Sequence, residues 1–463
     1  MKIWREKNTV QMRDWISSGL VAFAVFSLLL SIVWPRYGFY TFGPIDATPY
    51  TILAIIAWVV IPAALLLVPA AASDLWRAVS VRPILFGALL SWTLWRGLSS
   101  AGGANPGFSL TYLAREVVYL LPLLPLMMLL ARGPNGRQSA LSCILLGTLI
   151  VTAVALIELM TGQSFVRMTG VSFAGDAQIL ANLAEANRRH GYSVTRIQSV
   201  FGHPIVFGQF LAWAAPFLMF AASGRTKMWM RLTALGCLAT LPVLVFATNA
   251  RSGLIALGAS VAAYLAIGMV RRVGLFSLKS AAVAFLAVAL VLGSFSVGQG
   301  TLGGLIQGRN AVEASSTQAR SAMFERGLRE ISASPILGFG DGQSPQFAGL
   351  RGRNGILTID SAFLSSLLDS GWVGLFLNLS VWGLALLSAT RAALHPQASG
   401  FDAAVAASLV GVMSVFAVLS IMDNLSLIYI SIGLTSVSLL RAQYWQPESL
   451  QRAAVRRSPG GTQ

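Results

Sequence analysis

The residues best placed to do chemistry in this sequence are two aspartates inside the apolar stretch TIDSAFLSSLLDSGWVGL, from Thr358 to Leu375. A carboxylate at a membrane edge has its pKa raised above the usual value of about 3.9, because desolvation disfavours the charged form. Asp360 is therefore a candidate base. Three alternatives stay open for it: orienting a substrate hydroxyl, capping the helix that begins here, or pairing with an arginine such as Arg353. Asp369 is followed by a serine and a glycine, which is typical of a helix end and turn, and we expect a structural role for it.

Such side chains must be held by membrane helices. The chain has 463 residues with 55% hydrophobic and 11% charged residues and a mean hydropathy of +0.70, whereas soluble proteins carry about 25% charged residues. A crossing needs roughly 20 apolar residues. We predict an all-α integral membrane protein, residues 1–463 forming one domain, with twelve crossings at 15–34, 51–68, 83–100, 112–131, 139–160, 204–222, 232–248, 254–270, 280–298, 371–390, 402–421 and 425–440.

The distribution of positive charge predicts the orientation of these helices. Nineteen of the 33 basic residues precede the first crossing, follow the last or lie in alternate loops. The positive-inside rule assigns that side, and both termini, to the cytoplasm. A net charge of +16 would suggest nucleic acid in a soluble protein. Here orientation accounts for most of the charge, and we expect no nucleic-acid partner.

The other basic residues form a second chemical group on the predicted periplasmic side, and every one is arginine. A guanidinium fork matches phosphate or diphosphate better than lysine does, although arginine-favouring codon usage is an alternative. Arg251 is the first candidate, because a helix N-terminus that attracts anions follows it. A snorkelling arginine is the alternative there. The full set is Arg36, Arg96, Arg115, Arg167, Arg188, Arg189, Arg196, Arg251, Arg309, Arg320, Arg326, Arg329, Arg351 and Arg353.

Two long segments, 161–203 and 299–370, are predicted to lie on the periplasmic side, and residues 441–463 to form a disordered cytoplasmic tail. The second segment contains STQARSAMFERGLREISASP, where Met323, Leu328 and Ile331 follow a helical spacing until Pro335. We predict short amphipathic helices there. The two cysteines and three histidines show no spacing typical of metal ligands.

Four stretches, in this order, resemble the O-antigen ligase and Wzy-type polymerase superfamily. They are RIQSVFGHPIVFGQFLAWAAP from Arg196, ATNARSGLIAL from Ala247, ARSAMFERGLREISASPILGFGDG from Ala319, and the opening stretch. The resemblance covers roughly residues 140–390. The last family motif usually reads His-Asn, apolar residues, an acid and Gly-x-x-Gly. Asp369 and the glycines match it, whereas Asp360 occupies the histidine position.

The resemblance implies a GT-C-like fold and transfer of a glycan from undecaprenyl diphosphate to an acceptor sugar on the periplasmic face of the inner membrane, without a metal or another cofactor. The implied partners are the undecaprenyl-diphosphate-linked oligosaccharide, an acceptor glycan, membrane lipids and other polysaccharide-assembly proteins. Polymerisation of lipid-linked repeat units is the leading hypothesis, since the histidine is replaced. Ligation of polymer to lipid A-core is the rival. A twelve-helix transporter or flippase is a different class, and the internal repeats typical of it are not visible.

The resemblance also distributes roles among the candidate residues. Asp360 is the expected base and Arg251 the expected catalytic arginine. His203 could equally bond backbone at its helix start. Arg115 and Glu116 could equally form ion pairs with a neighbouring helix, and the same alternative holds for Arg96 and Glu158. The expected diphosphate ligands are Arg251, Arg196, Arg320 and Arg329, the last separated from Gly340 by ten residues, and the expected acceptor or sugar ligands are His203, Arg115, Glu116 and Arg353.

Overall fold

The computed structural model describes residues 2–34, 40–42, 45–132, 135–165, 196–223, 226–273, 311–351, 357–416 and 424–444. Helices dominate this part of the chain, and two short antiparallel hairpins, β1–β2 and β3–β4, add to the predicted all-α architecture. In chain order the elements are α1 (Lys2–Val33), β1 (Tyr40–Phe42), β2 (Ile45–Ala47), α2 (Pro49–Leu67), α3 (Pro69–Ser80), α4 (Pro83–Ala101), α5 (Pro106–Leu120), α6 (Leu123–Arg132), α7 (Gly136–Thr161), α8 (Pro204–Ala222), α9 (Met228–Ala247), α10 (Arg251–Val273), α11 (Ala311–Glu330), a 3₁₀ turn (Ile331–Ala333), α12 (Ser344–Ala348), β3 (Leu350–Arg351), β4 (Leu357–Thr358), α13 (Ala362–Leu394), α14 (Gly400–Phe416) and α15 (Leu425–Tyr444).

The helices agree with a multi-pass membrane protein. Eleven of the predicted crossings coincide with described helices, and the predicted crossing at 280–298 lies outside the described residues. Within the described ranges seven helices are long and apolar enough to span a membrane, or eight if α3 and α4, bent by 89°, form one span. The helices α1, α14 and α15 contain shorter apolar stretches. Twelve crossings and the GT-C-like fold stay predictions.

Helix α3 was not predicted from the sequence. Its bend against α4 arises at Arg82, which precedes Pro83 and has φ −137° and ψ 54°. A residue before proline is disfavoured in the α region, so the helix cannot continue through this point. Ala71 and Ala78 of α3 are buried, whereas Trp76 is exposed. The helix is therefore amphipathic and separate from the crossing that follows it.

Helix α8 lies at the centre of the core, against α10 and α14. A Cβ on Gly208 would lie 3.1 Å from the Cα of Gly253, so α8 and α10 touch backbone to backbone. Small residues allow this close approach between membrane helices. Gly411 of α14 meets Ala212 of α8, and Gly400 of α14 meets the ring of Phe220 further along α8. Helices α8 and α14 are consequently antiparallel.

Helix α13 consists of two pieces that reverse at Gly371, where φ is 70° and ψ is −175°. The rings of Phe363 and Trp382 are 5.5 Å apart. A straight helix, at 1.5 Å per residue, would separate these positions by about 28 Å. The first piece therefore folds back along the second. The crossing begins at Trp372, which agrees with the predicted crossing at 371–390 and with the predicted turn after Asp369.

We expect Gly371→Ala to destabilise the protein by about 1–3 kcal/mol, because a non-glycine residue is strained at positive φ. A Cβ there would also lie only 2.0 Å from the carbonyl oxygen of Ile336. Gly383→Ala in the same helix is the matched control, since nothing lies within 4 Å of its Cβ position. Thermal unfolding in detergent should show a lower midpoint for the first variant and an unchanged or higher one for the second. Equal midpoints would contradict the reversal at Gly371.

Candidate functional site

The fold-back of α13 determines the level at which its first residues lie. The ring of Trp382 also contacts Phe416, with centroids 5.0 Å apart. Phe416 ends α14, and the antiparallel packing of α14 on α8 brings that end towards the first turns of α8. The beginning of α13, with Asp360 just before it, therefore lies at the level where α8 starts.

The same end of the bundle carries two of the arginines singled out from the sequence. Arg196 donates from Nε to the carbonyl oxygen of Thr248, at 2.8 Å. The next amide, of Ile197, donates to the carbonyl oxygen of Ala247 at 3.2 Å. The segment before α8 thus lies on the turn between α9 and α10, and Arg251 is the first residue of α10. Two cations far apart in sequence are brought onto touching segments.

His203 lies on the same segment and caps α8. Its Nδ1 accepts a hydrogen bond from the amide of Ile205 at 3.1 Å. Burial, with a smaller contribution from the charge of Arg196, lowers the pKa of His203 to about 3. The imidazole is therefore neutral at pH 7, and because Nδ1 accepts, its proton lies on Nε2. The structure thus supports the helix-start role for His203, and so low a pKa makes this histidine a weak base.

Asp360 forms an ion pair with Arg320 of α11. Arg320 Nε lies 3.5 Å from Asp360 Oδ2, and the two side chains are 30% and 38% exposed. Burial raises the pKa of Asp360, and the charge of Arg320 opposes this rise. Both groups therefore remain accessible to a substrate while partly desolvated. Arg353, the partner named from the sequence, lies outside the described residues.

The helix cap at this position belongs to the next residue. Ser361 has extended backbone angles, and its hydroxyl accepts a hydrogen bond from the amide of Leu364 at 3.3 Å. Serine is a favoured N-cap, so the first turn of α13 is satisfied without Asp360. The capping alternative for Asp360 is therefore wrong, and its carboxylate is available for another role.

Helix α11 is held in place by a small apolar cluster. Met323 and Ile331 are buried, as predicted, and they pack with Ile359, Leu364 and three further residues, Ala348, Leu367 and Leu368. Leu328, by contrast, is 52% exposed and lies on the other face of the helix. This packing determines the position of Arg320 over the start of α13.

A buried ion network joins α4, α5 and the glycine-rich turn before α12. Arg96 donates to both oxygens of Glu116, at 2.8 and 2.6 Å, and from Nε to Asp341 at 3.0 Å. Its guanidinium also lies 4.7 Å from the centre of the Trp92 ring. Burial raises the pKa of Asp341, and Arg96 opposes the rise. Glu116, a predicted sugar ligand, therefore serves as a structural partner here, which was the alternative raised from the sequence.

Asp369 also has structural contacts. Its carboxylate accepts from the amide of Ser344 at 2.7 Å and from the hydroxyl of Ser365 at 3.1 Å. Its carbonyl oxygen accepts from Ser99 of α4 at 2.6 Å. Asp369 thus ties the reversal of α13 to α12 and α4, in agreement with the structural role expected for it.

The structure does not gather every candidate. Arg115 and Arg329 have exposed side chains, and Arg329 stands nine residues, about 13 Å of helix, from Arg320. Asp341 was not among the residues selected from the sequence, although it is an acid inside a run of glycines, GFGDG. That composition was a usable signal, because Gly338, Gly340 and Gly342 all have positive φ. The turn presses against the backbone of α13 at Gly338 and against side chains of α5 at Gly340 and Gly342.

Fold and site together define a multi-pass α-helical membrane protein with an arginine–aspartate pair and further arginines at one end of its helices. Residues 235–379 match the family model described as O-Antigen ligase. The match confirms the resemblance to the O-antigen ligase and Wzy-type superfamily, and it includes Arg251, Arg320 and Asp360, whereas Arg196 and His203 precede it. No curated protein matches the chain significantly.

Proposed function

We propose that the protein is a glycosyltransferase of polysaccharide assembly in the bacterial inner membrane, with both termini in the cytoplasm. It transfers glycan from undecaprenyl diphosphate to an acceptor sugar on the periplasmic face, polymerising lipid-linked repeat units of an exopolysaccharide or O-antigen. The observation that carries the proposal is the Arg320–Asp360 pair of 3.5 Å at the level where α8 begins. Arg196 and Arg251 lie on touching segments at the same end.

Each group has a role in this reaction. Asp360 takes the proton of the acceptor hydroxyl as its oxygen attacks the anomeric carbon. The bond from that carbon to the diphosphate breaks, and the diphosphate leaves with the electron pair. Arg251 and Arg320 stabilise the leaving charge, and the N-terminus of α10 adds its dipole. Arg196 binds the diphosphate equally in the ground state and the transition state, so its contribution falls on KM. His203, neutral with its proton on Nε2, donates a hydrogen bond to a sugar oxygen.

O-antigen ligase is the second candidate, because that is the description of the matched family. In that reaction the acceptor is lipid A-core rather than another lipid-linked repeat. Asp360 at the family's histidine position favours the polymerase, since a carboxylate replaces the base expected of ligases.

One experiment separates the candidates. Purified protein is incubated with a synthetic undecaprenyl-diphosphate oligosaccharide, with and without lipid A-core. A ladder of products in the absence of core supports the polymerase, and transfer that requires core supports the ligase. If the carrier lipid is not consumed in either mixture, both proposals fail.

Arg251→Ala is expected to lower turnover at least about 100-fold, as the loss of one preorganised donor does at other anionic transition states. Arg251→Lys should recover only part of the activity, because an ammonium lacks the guanidinium fork. Arg272→Ala, at the exposed far end of α10, is the control and should turn over normally. If a folded Arg251→Ala protein turns over at the wild-type rate, Arg251 does not bind the diphosphate.

A further inference from the structure

Glu158, near the end of α7, is a buried carboxylate that accepts hydrogen bonds from backbone amides. The residue is only 3% exposed. Oε1 accepts from the amide of Phe165 at 2.6 Å, and Oε2 accepts from the amides of Gln198 and Ser199 at 2.9 and 2.6 Å. One carboxylate thus satisfies three main-chain donors on both sides of residues 166–195.

The segment that Glu158 holds is buried but irregular. Ile197, Gln198 and Ser199 are all at most 2% exposed, outside any helix or strand. Ser199 has φ 55°, and its hydroxyl donates to the carbonyl oxygen of Val151, deep in α7, at 2.7 Å. Irregular backbone at membrane depth persists only where protein or a water-filled cavity satisfies its polar groups. Glu158 supplies that satisfaction.

Other anchors of the segment act in a different direction. Arg196 and Ile197 donate to carbonyl oxygens at the end of α9, whereas Gln198 and Ser199 donate to acceptors on α7. The side-chain amide of Gln198 is buried and makes no hydrogen bond in the described structure, so it does not anchor the segment. Bonds to an ionised acceptor are about twice as strong as bonds between neutral groups. Glu158 is thus the strongest link between this segment and α7.

The segment carries Arg196 at its start and His203 at its end. We propose that Glu158 is a positioning residue, which holds Arg196 and His203 in the geometry that binds the lipid-linked diphosphate and its sugar. The inference rests on the proposed function for the identity of that substrate. Glu158 lies behind the segment and makes no contact with the reacting atoms, so it acts through the two residues it places.

Glu158→Gln tests the proposal. The glutamine side chain keeps one acceptor oxygen, but its NH2 group faces backbone N–H groups that donated to the carboxylate. We expect the KM for undecaprenyl-diphosphate oligosaccharide to rise about tenfold, the effect of losing one charge-assisted hydrogen bond, with kcat nearly unchanged. Hydrogen exchange at Gln198 and Ser199 should accelerate. The pKa of His203, followed by NMR, should rise from about 3 towards its ordinary value as the segment loosens. Gln163→Ala, an exposed neighbour, is the matched control and should change none of these readouts.

A double variant separates positioning from general stability. In an Arg196→Ala background, Glu158→Gln should raise KM much less than it does alone, because Arg196 is no longer there to be misplaced. If Glu158→Gln only lowers the unfolding midpoint and leaves KM per folded molecule unchanged, the proposal is overturned. Additive KM effects in the double variant would overturn it as well.

The proposed function can fail without deciding this inference. If the wild-type protein transfers no glycan, the exchange and titration measurements still report whether Glu158 places His203. If Glu158→Gln does not fold, Glu158→Asp keeps the charge with a shorter reach and should show the same changes to a smaller extent. Rapid exchange of both amides in the wild-type protein would overturn the proposal without any variant.

Discussion

Replacing Asp360 by asparagine is expected to lower kcat by about 10²–10⁴-fold, the usual contribution of a general base. The substitution removes a proton acceptor and leaves the size of the side chain unchanged. Folding should be unaffected, because Ser361 caps α13 and the Asp360–Arg320 pair is exposed enough for solvent to screen it. Turnover of synthetic undecaprenyl-diphosphate oligosaccharide by purified protein measures the effect.

The pH dependence of the same reaction provides a second measurement. A base works only when it is ionised, so activity should fall as the pH falls through the pKa of Asp360. Burial raises that pKa, so we expect the fall of activity at low pH, the acid limb of the profile, to begin at a higher pH than the pKa of an ordinary aspartate would give. Arg320→Ala removes the opposing charge and should move this limb to higher pH. If the acid limb of the Arg320→Ala variant lies at the same pH as that of the wild type, the pairing of Arg320 with Asp360 is contradicted.

Ser361→Ala is the matched control for Asp360→Asn. The loss of the cap should cost about 1 kcal/mol of stability and should leave kcat of the folded protein unchanged. If instead Asp360→Asn retains wild-type turnover, Asp360 is not the base. The proposed transfer would then need another proton acceptor, or none.

Replacing Arg96 by alanine is expected to have the largest effect on stability, about 3–5 kcal/mol. Removing one member of a buried ion network leaves its partners charged and unpaired. Here Glu116 and Asp341 would both lose their cation, and both residues are nearly buried around it. The midpoint of thermal unfolding and the yield of folded protein in detergent should both fall.

Two further variants show whether charge causes this loss. Arg115→Ala, next to Glu116 but exposed, should leave the midpoint near that of the wild type. Arg96→Ala combined with Glu116→Ala should be less destabilised than the sum of the single changes, because one unpaired carboxylate disappears with the arginine. Strictly additive losses would show that Arg96 acts through packing, for example against Trp92, and not through its charge.

Much of the architecture was readable from the sequence, because apolar length is enough to specify a membrane helix. A helix satisfies its own backbone hydrogen bonds, so about 20 apolar residues predict a crossing wherever they occur. For that reason the predicted segments 51–68 and 83–100 coincide closely with α2 and α4. The turn after Asp369 was also predictable, since serine and glycine follow the acid.

The pairing of the charged groups could not be predicted from apolar length. Arg96 and Asp341 are far apart in the chain, and only the packing of the glycine-rich turn against α4 joins them. The sequence allowed Asp360 to be a cap, a partner of Arg353 or a base. In the structure Ser361 caps the helix. Arg320 pairs with Asp360, because the apolar cluster around Met323 holds α11 over the start of α13.

The sequence by itself determined that this is a polytopic α-helical membrane protein, because hydropathy is a local property of the chain. The tertiary structure decided that Asp360 lies at the level of the α8 start and that Arg196 lies against the turn before Arg251. These positions depend on the reversal at Gly371 and on backbone held by Glu158, and both arise from contacts between residues distant in the chain.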